Sequence, residues 1–183
     1  MHILGGEKKG LTLKTRGGSG TRPLAARVKA SLFDMLAPVI DDCCFFDMFA
    51  GNGAVGIEAL SRGAGTAFFY EKNHACIQII RDNLRRSGYE EKARVFRTDA
   101  IRASADLALP PDAPSLIFLG APYDSGLAVR ALSLLGENPL FKKDDLVIAE
   151  TRKQEPMEET WGRLKLIREK IYGETRLSFF AVP

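Results

Sequence analysis

The sequence predicts a single α/β domain with a mostly parallel, doubly wound sheet that ends in an antiparallel hairpin. Segments with strand and helix character alternate from about residue 43 to about residue 149, which is typical of parallel strands joined by helical crossovers. Near the C-terminus the alternation stops at two strand-like segments, 164–172 and 175–182, separated by Gly173 and Glu174. Because two residues leave no room for a crossover helix, these segments must pair antiparallel.

Five strands are predicted in the alternating part of the chain. The first, residues 43–49, is apolar except for Asp47, as is typical of a strand buried on both faces. The other four are predicted at residues 66–70, 93–96, 116–119 and 146–149. Helices are predicted between the strands at residues 54–62, 73–87 and 127–135. Together with the terminal hairpin, these strands make a seven-stranded sheet.

The chain has the length of one domain, so we take residues 1–183 as a single unit. In residues 1–20, short apolar pieces around glycines predict a basic arm with a small β-hairpin. Residues 21–40 form a helical lead-in, in which apolar residues recur at roughly helical spacing: Val28, Leu32, Met35 and Leu36. Residues 41–183 form the predicted core.

Basic side chains are concentrated near the N-terminus. Residues 1–30 contain seven lysines and arginines and one acidic residue, Glu7, for a net charge of +6, against −3 for the rest of the chain. This distribution favours a polyanionic partner, because neutralising phosphates supplies most of the sequence-independent affinity for nucleic acid. The alternative is a solvated basic terminus that has no partner.

Composition argues against several classes of protein. No apolar run approaches the roughly 20 residues that a membrane span needs, and the N-terminus has no signal-peptide pattern. Two of the three cysteines, Cys43 and Cys44, are adjacent, so a disulfide framework is not expected. His2 and His74 have no cysteine or carboxylate at ligand spacing, which argues against a metal site. We therefore expect a cytoplasmic protein without a membrane or metal partner.

A glycine-rich segment joins the first predicted strand to the first predicted helix. It contains a Gly-x-Gly-x-x-Gly pattern at Gly51, Gly53 and Gly56. Glycines there let the backbone turn tightly and approach a ligand, and the helix N-terminus offers unpaired N–H donors. Glu71 ends the next strand, 20 residues after Gly51, where a carboxylate can accept hydrogen bonds from ribose hydroxyls. The segment therefore predicts a nucleoside-containing cofactor.

Two cofactor classes share this geometry, nicotinamide dinucleotides and S-adenosylmethionine. A dinucleotide places its pyrophosphate near the loop, where Asp47, four residues before Gly51, would repel it. The same carboxylate suits the cationic amino-acid end of S-adenosylmethionine. The terminal antiparallel hairpin also fits a methyltransferase sheet better than a dehydrogenase sheet. Asp99, just past the third strand, would then lie by the adenine, with a helix N-cap as the alternative role.

With these motifs, the sequence resembles the RsmD family of bacterial small-subunit ribosomal RNA guanine-N2 methyltransferases. The resemblance runs through nearly the whole chain, and its most specific landmark is the stretch of residues 47–64. The other landmarks are Ile3-Leu4-Gly5-Gly6, Thr21-Arg22-Pro23, Arg27-Val28-Lys29, Tyr70-Glu71-Lys72-Asn73 and Pro122-Tyr123. The resemblance implies a class I methyltransferase fold, S-adenosylmethionine as methyl donor, and the N2 amine of a guanosine in 16S rRNA as acceptor.

Site residues follow from the motifs and the resemblance together. The expected cofactor-binding residues are Asp47, Met48, Phe49, Ala50, Gly51, Asn52, Gly53, Glu71, Lys72, Asp99 and Ala100. The residues expected on the RNA side are Lys8, Lys9, Arg16, Arg22 and Arg27. The expected partner is ribosomal RNA or the small ribosomal subunit, and a protein of this kind can act as a monomer.

The chain departs from the family pattern at the catalytic motif. The family has Asp-Pro-Pro followed by Tyr or Phe after the fourth strand, whereas this chain reads Gly120-Ala121-Pro122-Tyr123. A guanine amine is a poor nucleophile, and the motif helps it by accepting hydrogen bonds from its N–H groups with a side-chain oxygen and a backbone carbonyl. Here the Ala121 carbonyl remains, and the Tyr123 ring could stack on an extruded base.

Three hypotheses follow from this departure. The first is an active rRNA guanine-N2 methyltransferase. The second is a cofactor- and RNA-binding homologue with weak or no turnover, because Gly120 offers no side-chain acceptor. The third is a methyltransferase for another nucleic-acid base, since the motif does not distinguish bases.

Overall fold

The structure is a computed structural model and describes residues 1–15 and 25–183. The helices in these residues are α1 (Ala26–Leu36), α2 (Ala54–Ser61), α3 (His74–Ser87), α4 (Ala100–Ala105) and α5 (Leu127–Gly136). The strands are β1 (Cys44–Asp47), β2 (Thr66–Glu71), β3 (Ala93–Arg97), β4 (Ser115–Leu119), β5 (Leu146–Arg152), β6 (Thr160–Trp161), β7 (Leu164–Tyr172) and β8 (Thr175–Ala181).

All these strands join one sheet in the order β3-β2-β1-β4-β5-β8-β7-β6. Strands β1 to β5 pair in parallel, and β8 pairs antiparallel with both β5 and β7. The predicted parallel sheet with an antiparallel C-terminal hairpin is therefore confirmed. Its strand order reverses at β1, which lies between β2 and β4, and ligands of such sheets bind in the crevice beyond the carboxyl ends of the strands at this point.

The described residues contain two short elements that the sequence pattern did not predict. Strand β6 has two residues and adds an eighth strand to the seven predicted, and α4 has six residues. Neither is long enough to produce a hydrophobic period. Strand β5 also extends to Arg152, three residues past its apolar run, because Glu150, Thr151 and Arg152 pair with Leu177, Arg176 and Thr175 of β8.

Two apolar clusters fill the two faces of the sheet. One contains side chains of α1, α2 and α3, and the other contains side chains of α4 and α5. The N-terminal arm packs on the first face, where Ile3 and Leu13 are almost fully buried. The arm pairs antiparallel through one bridge, His2 to Thr12, and the Gly10 N–H donates to the Ile3 carbonyl at 2.9 Å. No helix in the described ranges is long and apolar enough to span a membrane.

A buried ion pair fastens the arm to the helices. The Glu58 carboxylate on α2 is fully buried, and its Oε2 lies 2.8 Å from Nζ of Lys29 on α1. Glu58 also accepts the N–H groups of Leu4 and Gly5, each at 2.8 Å, and Nε of Arg62 at 2.9 Å. Lys29 further donates to the His2 carbonyl at 2.9 Å. Lys29 is therefore buried. It was counted among the seven basic residues of the N-terminal segment, but it does not contribute to a solvated basic surface.

Breaking this pair is expected to destabilise the protein far more than breaking a surface pair. Lys29→Met should lower the free energy of unfolding by about 3 kcal/mol, because it leaves a buried carboxylate undercompensated. Lys14→Met is the matched control, since Lys14 and Asp82 lie 2.7 Å apart but exposed, and it should cost less than about 1 kcal/mol. Urea unfolding of both variants measures the difference, and equal losses would contradict the assignment.

Candidate functional site

The polar residues that the sequence motifs single out lie at the carboxyl ends of the central parallel strands, on the same side of the sheet. Asp47 ends β1 and Glu71 ends β2, Asp99 follows β3 by two residues, and Gly120 follows β4 directly. Because β1 is hydrogen-bonded to both β2 and β4, Asp47 lies beside Phe69 and Phe118 in the parallel register. The glycine-rich loop of residues 48–53 begins at this same edge.

The buried side chain of Asp47 stabilises the glycine-rich loop. Its carboxylate is buried and accepts the Gly56 N–H at 3.0 Å, which ties the end of β1 to the first turn of α2. Burial raises the pKa of Asp47 to about 7, and the nearby Glu71 carboxylate adds to the rise. Gly56 is required by close packing, since a Cβ there would lie 2.4 Å from Cε1 of Phe69. A cation placed beside Asp47 would favour its ionised form.

The Glu71 carboxylate is fixed by two backbone N–H groups, one of them from the loop. Its Oε2 accepts the Gly51 N–H at 2.9 Å, and its Oε1 accepts the Asn73 N–H at 2.7 Å. The carboxylate therefore lies against the loop backbone, half-buried at the sheet edge. Gly51 has a φ of +55°, and a Cβ added there would meet only the Phe49 carbonyl oxygen, at 4.0 Å. The surface over Gly51 is thus open, and the Glu71 carboxylate lies beside it.

The other expected cofactor-binding residues divide into buried and exposed groups. Met48 and Ala50 are buried, and their N–H groups donate to carbonyls of the neighbouring strands, each at 3.1 Å. Phe49 and Asn52 are half-buried. Asp99 accepts the Ile101 N–H at 2.9 Å and is therefore the N-cap of α4, the second of the two roles considered for it. Ala100, which follows it, is buried. Lys72 is exposed, and its Nζ lies 3.7 Å from Oδ2 of Asp99.

Asn83 was not predicted as a site residue, yet it supports the loop. It is fully buried on α3, and its Nδ2 donates to the Asn52 carbonyl and to the Lys14 carbonyl, both at 3.0 Å. Its Oδ1 accepts the Lys14 N–H at 2.8 Å. A single amide thus joins the glycine-rich loop, α3 and the N-terminal arm. A polar residue among the apolar positions of a predicted amphipathic helix was the available signal.

The segment Gly120-Ala121-Pro122-Tyr123 lies at the edge of the sheet next to Asp47. Ala121 is buried and Pro122 is exposed. A Cβ on Gly120 would lie 2.6 Å from Cε1 of Phe118, so a larger residue there would have to displace a buried ring. The Tyr123 hydroxyl donates to Oε1 of Glu150 at 2.6 Å and lies 2.8 Å from Oγ1 of Thr175.

The motifs of the sequence did not indicate the residues of β5 and β8 that surround Tyr123, which are Glu150, Arg152 and Thr175. The guanidinium of Arg152 lies 5.6 Å from the centre of the Tyr123 ring, and Nε of Arg152 lies 2.9 Å from Oδ2 of Asp124. Glu150 and Arg152 belong to the polar continuation of β5, and Thr175 is the first residue of β8. The signal was a run of polar residues directly after an apolar strand, at the sheet edge where ligands bind.

The expected RNA-side residues are only partly within the described ranges. Arg16 and Arg22 lie outside them. Lys9 and Arg27 are exposed, and Nζ of Lys8 pairs with Glu7 at 2.7 Å and lies 5.8 Å from the centre of the Tyr89 ring. Within residues 1–15 and 25–183, no group of three or more histidine, cysteine or acidic side chains could hold a metal ion.

Comparison with known proteins places this chain in a family. The sequence model of the family described as conserved hypothetical protein 95 matches residues 1–181. The protein YlbH of Bacillus subtilis, provisionally named an rRNA methyltransferase, is 35% identical over 180 residues, which cover 98% of each chain. Ribosomal RNA small subunit methyltransferase D of Escherichia coli is 33% identical over 176 residues, which cover 95% of this chain and 86% of that protein.

A solved structure extends the likeness to the fold. The Escherichia coli protein yhhF, provisionally named a methyltransferase, is 31% identical and superposes with a TM-score of 0.85, covering 100% of this chain and 97% of that one. The class I methyltransferase fold predicted from the motifs is therefore confirmed. The chain belongs to the conserved hypothetical protein 95 family, which is the RsmD family of methyltransferases that its motifs resemble.

Proposed function

We propose that this protein transfers the methyl group of S-adenosylmethionine to the exocyclic N2 amine of a guanosine in 16S rRNA, acting as a monomer in the cytoplasm. The observation that carries the proposal is the pair of carboxylates, Asp47 and Glu71, held on either side of an open glycine-rich loop in a member of the RsmD family. The curated relative from Escherichia coli is named for methylation of small-subunit ribosomal RNA.

The residues present fit this cofactor. A buried carboxylate with a raised pKa is stabilised in its charged form by a cation, so Asp47 suits the ammonium of the methionine end. Glu71 would accept hydrogen bonds from the ribose hydroxyls, and Lys72, Asp99 and Ala100 would border the adenine. The remaining contacts would come from the loop itself, residues Met48, Phe49, Ala50, Gly51, Asn52 and Gly53. When bound, the cofactor supplies an electrophilic methyl group.

The chain's own residues then have to orient and activate the guanine amine. The Ala121 carbonyl would accept a hydrogen bond from the amine, and the Tyr123 ring would stack on the base. On the RNA side, Lys8, Lys9, Arg16, Arg22 and Arg27 would contact phosphates and hold the substrate in register. Gly120 contributes no side-chain acceptor. The reaction would therefore depend on positioning and on the backbone carbonyl more than in relatives with a carboxylate at this place.

A second candidate function is a cofactor- and RNA-binding protein with weak or no turnover. It is favoured by the packing at Gly120, where the Phe118 ring fills the space that a side chain would need. The two candidates share the cofactor pocket and the RNA partner. They differ in whether the methyl group is transferred.

Methyl transfer to ribosomal RNA tests the proposed function directly. We expect labelled methyl from S-adenosylmethionine to enter small ribosomal subunits that lack this modification, with digestion of the RNA yielding N2-methylguanosine. Free guanosine and DNA serve as control acceptors and should remain unlabelled, because they lack the RNA fold that the basic arm would hold. Calorimetry on the same sample measures cofactor binding. Binding without transfer would favour the second candidate, and label in DNA would favour another base as acceptor.

Cofactor affinity is expected to rise with pH through the titration of Asp47. With a pKa of about 7 in the free protein, the fraction of ionised Asp47 increases roughly eightfold between pH 6 and pH 7.5, and the affinity should follow it. Asp47→Asn should bind more weakly and lose this pH dependence in calorimetry. An unchanged pH profile in Asp47→Asn would show that another group governs binding.

The same substitution gives a check that needs no ligand. The pKa of Asp47 is raised on folding, so its protonated form stabilises the fold, and that contribution is lost as the pH rises from about 4 to about 7. Asp47→Asn can still accept the Gly56 N–H and should therefore unfold at a higher denaturant concentration than the natural protein at pH 8, with the difference vanishing near pH 4.

Restoring the family motif tests whether the missing acceptor limits turnover. Gly120→Asp combined with Ala121→Pro is expected to raise kcat by about 10²-fold, the usual effect of one charge-stabilising group in a transition state. Gly120→Ala with Ala121→Pro is the matched control, because it displaces Phe118 in the same way without adding a carboxylate. Equal kcat values for the two variants would mean that the acceptor is not the limiting defect.

A further inference from the structure

The turn of residues 120–124, which carries the altered motif, is bordered by the polar end of β5. In the parallel register Leu119 of β4 lies opposite Ala149 of β5, so the next step along both strands brings Gly120 beside Glu150. Side chains on a strand alternate between faces, and Glu150 therefore lies on the sheet face that a side chain at position 120 would occupy. Strand β5 thus supplies a buried carboxylate beside the vacant place in the motif.

Glu150 holds Tyr123 by its hydroxyl. The oxygen atoms lie 2.6 Å apart, and Glu150 is only 8% exposed. Hydrogen bonds strengthen where water is excluded. Thr175, the first residue of β8, adds a second contact to the same hydroxyl at 2.8 Å. The two strands thus fix the far end of the Tyr123 side chain.

Arg152 holds the same turn from a second direction. Its guanidinium covers one face of the Tyr123 ring at 5.6 Å from the centroid, and its Nε pairs with Asp124 at 2.9 Å. Asp124 has a φ of +57°, a backbone conformation that costs free energy for a residue other than glycine. The ion pair helps to keep Asp124 in that conformation.

The sequence of the turn explains why such support is needed. A proline fixes φ near −65°, so the first proline of the family motif restricts the turn by its covalent structure, whereas Ala121 at that place and Gly120 before it have no ring that fixes φ. Ordering that freedom must be compensated by contacts made in the folded protein. Such contacts include those of Glu150, Arg152 and Thr175 with Tyr123 and Asp124, and the hydrogen bond from the Ser125 hydroxyl to the Pro122 carbonyl.

We propose that Glu150 is a positioning residue of the methyltransferase site, which acts through the Tyr123 hydroxyl to fix the turn of residues 120–124 beside the acceptor base. It supplies through side chains part of the rigidity that the family motif obtains from its first proline. This inference rests on the proposed function, because it assigns Glu150 a part in that same reaction.

Kinetics of variants on both sides of the hydrogen bond test the inference. Glu150→Ala is expected to lower kcat for methyl transfer to small subunits by about tenfold, while the cofactor Kd stays within about twofold, because Glu150 is not among the residues expected to bind the cofactor. Glu150→Gln retains an acceptor for the hydroxyl and should recover most of the rate. Glu159→Ala, an exposed carboxylate before β6, is the matched control and should leave kcat unchanged.

A double-mutant cycle identifies the route of the effect. Because Glu150 acts through the hydroxyl, adding Glu150→Ala to Tyr123→Phe should lower kcat no further than Tyr123→Phe alone. Independent, multiplicative losses would overturn the proposal, and so would an unchanged kcat in Glu150→Ala. A loss that Glu150→Gln does not recover would also overturn it. Tyr123→Phe keeps the buried carboxylate in place, so if Glu150→Ala folds poorly its kcat alone tests the hydroxyl, and an unchanged kcat in Tyr123→Phe would overturn the proposal.

Hydrogen exchange separates this inference from the proposed function. Peptides that cover residues 120–126 should exchange faster in Glu150→Ala than in the natural protein, whereas peptides of β1 and α2 should not change. If the natural protein transfers no methyl group to any acceptor, the proposed function fails while faster exchange at 120–126 still supports the placement of the turn by Glu150. Unchanged exchange there would overturn the positioning role.

Discussion

Parallel hydrogen bonding of β1 to both β2 and β4 is the constraint on which the rest of the site depends. Parallel strands end at the same edge, so this pairing alone brings Asp47, Glu71 and Gly120 together from positions far apart in the chain. The reversal of strand order at β1 also opens the crevice in which a ligand can lie. The glycine-rich loop is useful only because it starts at this edge.

Buried polar groups then fix what the strands bring together. Asp47 ties β1 to α2, Asn83 ties the loop to α3 and the arm, and Glu58 ties the arm to α1 and α2. Each of these groups would cost free energy if it were buried without partners, so each specifies one arrangement of its neighbours. The N-terminal arm is consequently part of the folded body through Glu58 and Lys29, and Lys9 remains exposed on its surface.

The altered motif divides the chemistry of the site into parts that can be lost separately. In the proposed function, cofactor recognition would depend on Asp47, Glu71 and the loop, none of which is altered by Gly120. Activation of the acceptor amine would depend on the turn after β4, where the chain has a smaller and more flexible sequence. The contacts of Glu150 and Arg152 around Tyr123 show how a structure can restrain such a turn through side chains. Placement of the turn and hydrogen-bond acceptance are therefore distinct properties of this motif.

The sequence by itself determined the alternation of strands and helices, the terminal hairpin, the glycine-rich loop and the family, because these follow from local periodicity and from contiguous motifs. Only the tertiary structure decided that Lys29 is buried against Glu58, that Asn83 supports the loop, and that Glu150, Arg152 and Thr175 surround Tyr123. Each of these contacts joins residues distant in the chain, and their partners are set by strand register and helix packing, which no local pattern contains. Strand β5 extends to Arg152 for the same reason, since its last residues are polar and are held in the sheet by pairing with β8.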